Sequence, residues 1–63
     1  MNDGEVLLFL ENLAAGINSD LELGLDAVTM RRVALRVLEA EPEGAEQLHQ
    51  TLGCLLIRER VLH

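Results

Sequence analysis

Pro42 is the only proline in the chain, and on both sides of it apolar residues recur at intervals of three and four. Proline lacks a backbone N–H and disfavours helical geometry in the residue before it. The two periodic segments therefore form two helices, and the short connection through Pro42 and Gly44 makes them antiparallel neighbours. Other breakers fall at Gly16, in the run Asn18–Asp20 and at Gly24. Between these points Leu, Ala, Glu and Arg dominate, all of which favour helix. The spacing predicts one all-α domain over residues 1–63, ordered helix–loop–helix–turn–helix. Its helices fall at about 4–15, 27–41 and 43–61.

In the first helix, Asn2 or Asp3 caps the start and Gly16 supplies the left-handed residue at the end. Val6, Phe9, Leu10, Leu13 and Ala14 share a broad face, with Leu7 at its edge and Ile17 just beyond, while Leu8 lies opposite. The segment Leu21–Leu25 alternates Leu21, Leu23 and Leu25 with Glu22 and Gly24. It is too short to form a sheet alone, so it reads as an extended loop whose leucines cover the end of the core. Asp26 caps the second helix. Ala27, Met30, Val33, Ala34, Val37 and Leu38 form its core stripe. Val28 and Leu35 lie on the other side among Arg31, Arg32, Arg36 and Glu39. That side is either a solvated face with an Arg36–Glu39 pair, or a contact surface in which arginine stems extend the apolar area.

The third helix carries two stripes. At 100° per residue, Ala45, Leu48, Leu52, Leu55 and Leu56 line one face, continued by Leu62. Cys54, Ile57 and Val61 form a second stripe more than about 100° away. One three-helix core accommodates the first stripe but not both, and a second copy of the chain is the simplest cover for the other. Gly53 would allow that copy a close approach. The expected assembly is a helical homodimer. The candidate protein-interface residues are Leu8, Val28, Arg32, Leu35, Arg36, Cys54, Ile57 and Val61.

Size reinforces this expectation. A chain of 63 residues buries only about 60% of the surface its unfolded form exposes. Such domains usually gain stability from disulfides, a metal or association. Cys54 is the only cysteine, which excludes an intrachain disulfide and suits a reducing compartment. Cys54, His49 and His63 lack the spacing of a zinc site, which takes about four ligands. Within the chain, Cys54 reads as a small buried hydrophobe and His49 as a surface or rim residue.

The net charge is −6, with five basic residues, all of them arginine. Asp3, Glu5, Glu11, Asp20, Glu22 and Asp26 all precede the first basic residue, a surface that would repel phosphate over most of its area. The start, MNDGEV, is acidic where a secretory signal needs positive charge. No apolar run approaches the roughly 18 residues of a membrane span. A cytoplasmic protein without membrane attachment is expected.

His49 and Cys54 project to different sides of the third helix and do not form a nucleophile–base pair. No catalytic, cofactor-binding or metal-binding residues are assigned, and enzyme activity is not expected. The expected role is a non-catalytic interaction module, a regulator, adaptor or inhibitor that binds another protein. One alternative is an acidic decoy that mimics nucleic acid through Asp20, Glu22, Glu39, Glu41, Glu43 and Glu46. Another is a helix-turn-helix DNA-binding regulator reading bases through Gln47, Gln50 and Thr51, with Glu43 and Glu46 set against phosphate.

Two short strings resemble known families. LGLDA, Leu23 to Ala27, is similar to the LGxDS attachment motif of acyl carrier proteins, which are also acidic helical domains. Ala27 stands where the motif needs the serine that bears the prosthetic group, so covalent carrier function is excluded. AEQLHQTLGCLL resembles, in apolar periodicity alone, small helical connector proteins of bacterial two-component signalling.

Overall fold

The computed structural model describes residues 2–62. Three helices pack around one core: α1 (Asp3–Asp20), α2 (Ala27–Glu39) and α3 (Ala45–Leu62). Each touches the other two. Asp3 and Val6 of α1 line one cleft together with Leu38 and Glu39 of α2 and Leu48 of α3. The start of α1, the end of α2 and the start of α3 therefore share one end of the bundle, and α2 runs antiparallel to both neighbours. His63, named above among possible metal ligands, lies outside the described residues.

The helix starts follow ordinary capping chemistry. The Asn2 side-chain oxygen accepts from the Glu5 N–H at 2.8 Å, and the Asp26 carboxylate accepts from the Thr29 N–H at 2.7 Å. Each satisfies one of the donors that a helix start leaves without an internal partner.

The first helix end departs from the sequence expectation. α1 does not stop at Gly16 but continues to Asp20. The chain then turns at Glu22, whose φ is +52°. The Glu22 N–H donates to the Ser19 carbonyl and the Leu23 N–H to the Asn18 carbonyl, the paired bonds of a Schellman cap. Glu22 thus occupies a left-handed position that glycine usually fills. Extending the helix buries Ile17 and brings Asn18 opposite the following loop. The Asn18 amide there donates to the Leu25 carbonyl at 3.2 Å and accepts from the Leu25 N–H at 2.9 Å. One side chain thus satisfies both backbone groups of an extended residue. The loop leucines divide: Leu23 is buried, Leu25 packs against the core and Leu21 is exposed.

α2 ends at Glu39, two residues before the expected boundary. Glu41, at φ +49°, takes the left-handed position and donates to the Leu38 carbonyl. Pro42 follows, and without an N–H it cannot add the second bond of the cap. α3 begins at Ala45, two residues later than expected, and the Glu43 N–H donates to the Gln47 side chain across its start.

The core consists of Leu10, Ala14, Ile17, Leu23, Val33, Ala34, Val37, Leu52 and Leu56. Val6, Leu13, Met30, Leu38, Leu48 and Leu55 pack against it partly buried, whereas four expected core residues, Phe9, Ala27, Ala45 and Leu62, are exposed. Phe9 precedes Leu10 by one residue, about 100° around the helix from the Leu10–Ala14–Ile17 line, and it is 51% exposed. Ala27 and Ala45 are the first residues of their helices and Leu62 the last of α3, where little of the bundle remains to cover them.

Gly16 offers a direct test of the α1 boundary. A methyl group added there meets nothing within 4 Å, so Gly16→Ala should stabilise the fold by about 1 kcal/mol, the usual helix-interior gain. A helix ending at Gly16 would give the opposite sign. Gly24→Ala should destabilise, because Gly24 sits at φ +70°. Thermal unfolding of the two variants reads both effects.

Candidate interaction surface

Eight large apolar side chains are exposed: Leu8, Phe9, Leu21, Val28, Leu35, Ile57, Val61 and Leu62. The core holds seven buried side chains larger than alanine, and Val6, Leu7, Leu13, Leu25, Met30, Leu38, Leu48 and Leu55 pack against it partly buried; the eight exposed groups are those the bundle leaves over. Its accessible surface is 4473 Å². That exceeds by about a tenth the roughly 4,000 Å² typical of a monomer of this mass.

The exposed groups follow from how each helix faces the core. In α3, Leu52, Leu56 and Glu59 point inward, which places Cys54, Ile57 and Val61 on the opposite side. Val61 is 79% exposed and Ile57 46%. Cys54 is also exposed. This corrects the expectation that it is a buried hydrophobe, because its position lies directly across the helix from the Leu52–Leu56 seam. In α2, Thr29, Val33, Ala34 and Val37 point inward, leaving Val28 at 74% and Leu35 at 40% exposure on the outer side. In α1, Leu8 and Phe9 are exposed.

Because every helix contacts both others, the three outer sides diverge. The residues singled out from the sequence therefore occupy three faces, not one. Leu8 stands on α1. Val28, Leu35 and Arg36 stand on α2, and Cys54, Ile57 and Val61 on α3. Arg32, also on α2, ties that helix to the inward side of α3, where its guanidinium reaches the Glu59 carboxylate at 3.4 Å.

Glu59 is the residue that periodicity alone misses. It continues the Leu52–Leu56 seam and is only 8% exposed. A charged residue at a seam position is acceptable because Arg32 donates to it across the α2–α3 contact. A second ion pair, Arg31 to Glu11 at 3.8 Å, joins α2 to α1. The two adjacent arginines thus reach in opposite directions, one to each neighbouring helix. The Arg36–Glu39 pair, one of the two alternatives read from the sequence for this side of α2, is not among these ion pairs.

The six acids of the decoy alternative do not form one line. Glu39 shares a cleft with Asp3 at the start of α1, whereas Asp20 ends that helix. An 18-residue helix spans about 27 Å. Asp20 and Glu22 are therefore far from Glu39, Glu41, Glu43 and Glu46. Gln47, Gln50 and Thr51 share a shallow groove on α3 with Cys54 and Leu55. His49 is exposed. Among the described residues no group of three or more His, Cys, Asp or Glu could hold a metal ion, and no helix is long and apolar enough to cross a membrane.

The Arg32–Glu59 pair makes a stability prediction. Arg32 is half exposed, so the pair is partly screened. Arg32→Ala should cost about 1 kcal/mol. Glu59→Met should be neutral or stabilising, because an apolar side chain of similar size fills the seam without a desolvated charge. Urea unfolding checks both. A larger loss for Glu59→Met than for Arg32→Ala would mean that the seam requires the carboxylate itself.

No protein-family model matches this chain, and neither a curated protein nor a solved structure matches it.

Proposed function

We propose that this chain is a non-catalytic protein-interaction module, an acidic helical regulator, adaptor or inhibitor that self-associates, most simply as a homodimer, and binds another protein. The observation that carries the reading is the outward stripe Cys54, Ile57 and Val61 on α3, with a separate outward pair, Val28 and Leu35, on α2. Apolar groups scattered singly on a surface have no special meaning. Here they repeat at helical spacing on the side of α3 opposite its own core, the pattern by which helices recognise helical partners. A protein–protein interface of ordinary size buries about 1,200–2,000 Å², and burying the exposed stripes would supply the apolar centre of one.

Self-association falls to the α3 stripe in this reading. Its centre, Ile57, faces away from the buried Leu52–Leu56 seam and is flanked by two arginines, Arg58 and Arg60, whereas three, Arg31, Arg32 and Arg36, lie around Val28 and Leu35. The α2 face then remains available to a foreign protein, with guanidinium groups to meet carboxylates and arginine stems to extend the apolar contact.

Ile57→Asp places a charge at the centre of the α3 stripe and should convert the dimer to a monomer in sedimentation equilibrium, with the helical circular dichroism retained. Val28→Asp, on the α2 face, should leave the mass unchanged. An Ile57→Asp variant that sediments like the parent protein would remove the α3 stripe from the self-interface.

A further inference from the structure

The cleft at the end of the bundle where α1 and α3 begin is one that the sequence did not single out. It is an open space of about 480 Å³ lined by Val6, Leu38, Pro42 and Leu48, with Asp3, Glu39 and Glu41 among its walls. The four apolar residues come from all three helices and the α2–α3 turn, and each is only partly buried. They form an apolar floor that the chain itself leaves uncovered. The turn also shapes the wall, because Glu41 is held at φ +49° immediately before Pro42.

Charge at this end is one-sided. Glu5, Glu43 and Glu46 lie close in sequence to the three lining acids, and Arg36 is the one arginine in the last turn of α2. Of the other four, Arg31 pairs with Glu11 at the middle of α1, Arg32 pairs with Glu59 near the end of α3, and Arg58 and Arg60 lie in the last turns of α3. Most of the net charge of −6 is therefore concentrated around an apolar cleft. Such a surface attracts cations and opposes acidic partners, including a second copy of this chain.

The geometry points to a partner segment that is amphipathic and cationic: an apolar side chain seated on Val6, Leu38, Pro42 and Leu48, flanked by arginine or lysine residues that meet Asp3, Glu39 and Glu41. This inference rests on the reading that the chain binds another protein, and it adds to the α2 face a second contact, one that takes a segment of the opposite charge. It separates two functions in space, since the cleft lies at the end of the bundle where α3 begins and the Ile57–Val61 stripe lies near where α3 ends.

The test uses the full chain and a fluorescein-labelled twelve-residue helical peptide with leucines on one side and arginines on the other. Amide shifts in a heteronuclear NMR titration should move saturably at Val6, Leu38, Glu41 and Leu48. Glu39→Gln with Glu41→Gln should weaken binding about tenfold, equivalent to about 1.4 kcal/mol. Asp20→Asn with Glu22→Gln removes the same net charge at the far end and should leave binding unchanged. Absence of binding overturns the inference. So do equal losses from the two charge pairs, shifts centred on Ile57 and Val61, equal binding of a peptide with glutamates replacing the arginines, or a change in sedimenting mass on altering Glu39 and Glu41. A protein that dimerises through Ile57 yet ignores the peptide removes the cleft alone. A monomer that binds the peptide at Val6 and Leu48 removes the self-association reading and keeps the cleft.

Discussion

Leu10, Val33, Val37, Leu52 and Leu56 are the largest side chains fully withdrawn from water, and the contact among them sets the terms for the rest of the molecule. Each contributes roughly 1.5–3 kcal/mol through burial, but all are aliphatic and of modest size. Ala14 and Ala34, also fully buried, add little volume. A core of this kind fixes three helices side by side. The features that suggest binding, the outer stripe of α3, the arginine-bordered side of α2 and the acidic cleft, lie on the outside or at the ends of those helices.

The surface and the core are linked by register. Turning α3 to bury Leu52, Leu56 and Glu59 obliges Cys54, Ile57 and Val61 to face outward. Turning α2 to bury Val33 and Val37 does the same to Val28 and Leu35. The Arg32–Glu59 pair holds these two registers against each other. A rotation of α3 that hid Ile57 would pull Glu59 away from Arg32 and bring Leu52 into water. The exposed stripe is therefore a consequence of the packing arrangement and does not reflect a loose surface.

Much of this organisation is legible in the residues. Pro42 and the spacing on either side of it give the number and order of helices, and Asp26 identifies the start of α2. The outward position of Leu8, Val28, Leu35, Ile57 and Val61 also follows from spacing alone. What remains hidden has specific causes. Gly16 resembles a helix stop because glycine commonly ends helices, yet the Schellman bonds and the Asn18 clamp on Leu25 favour continuing to Asp20. The turn then falls on Glu22, a residue type that does not advertise a left-handed conformation. Phe9 looks like core by hydrophobicity, but hydrophobicity does not say how wide an arc two neighbouring helices can cover. Glu59 looks like surface by charge, and only its cross-helix partner explains its burial. The cleft is assembled from residues far apart in the chain, each ordinary where it stands, so no local pattern announces it.

In the proposed reading, this chain carries more outward-facing apolar surface than one copy can use. The concentration dependence of thermal unfolding tests that most directly, because association favours the folded state by mass action. The account predicts a midpoint that rises steadily with protein concentration in the parent chain and becomes independent of concentration in Ile57→Asp. A parent midpoint that stays constant over the whole concentration range, with a sharp two-state transition, would contradict it.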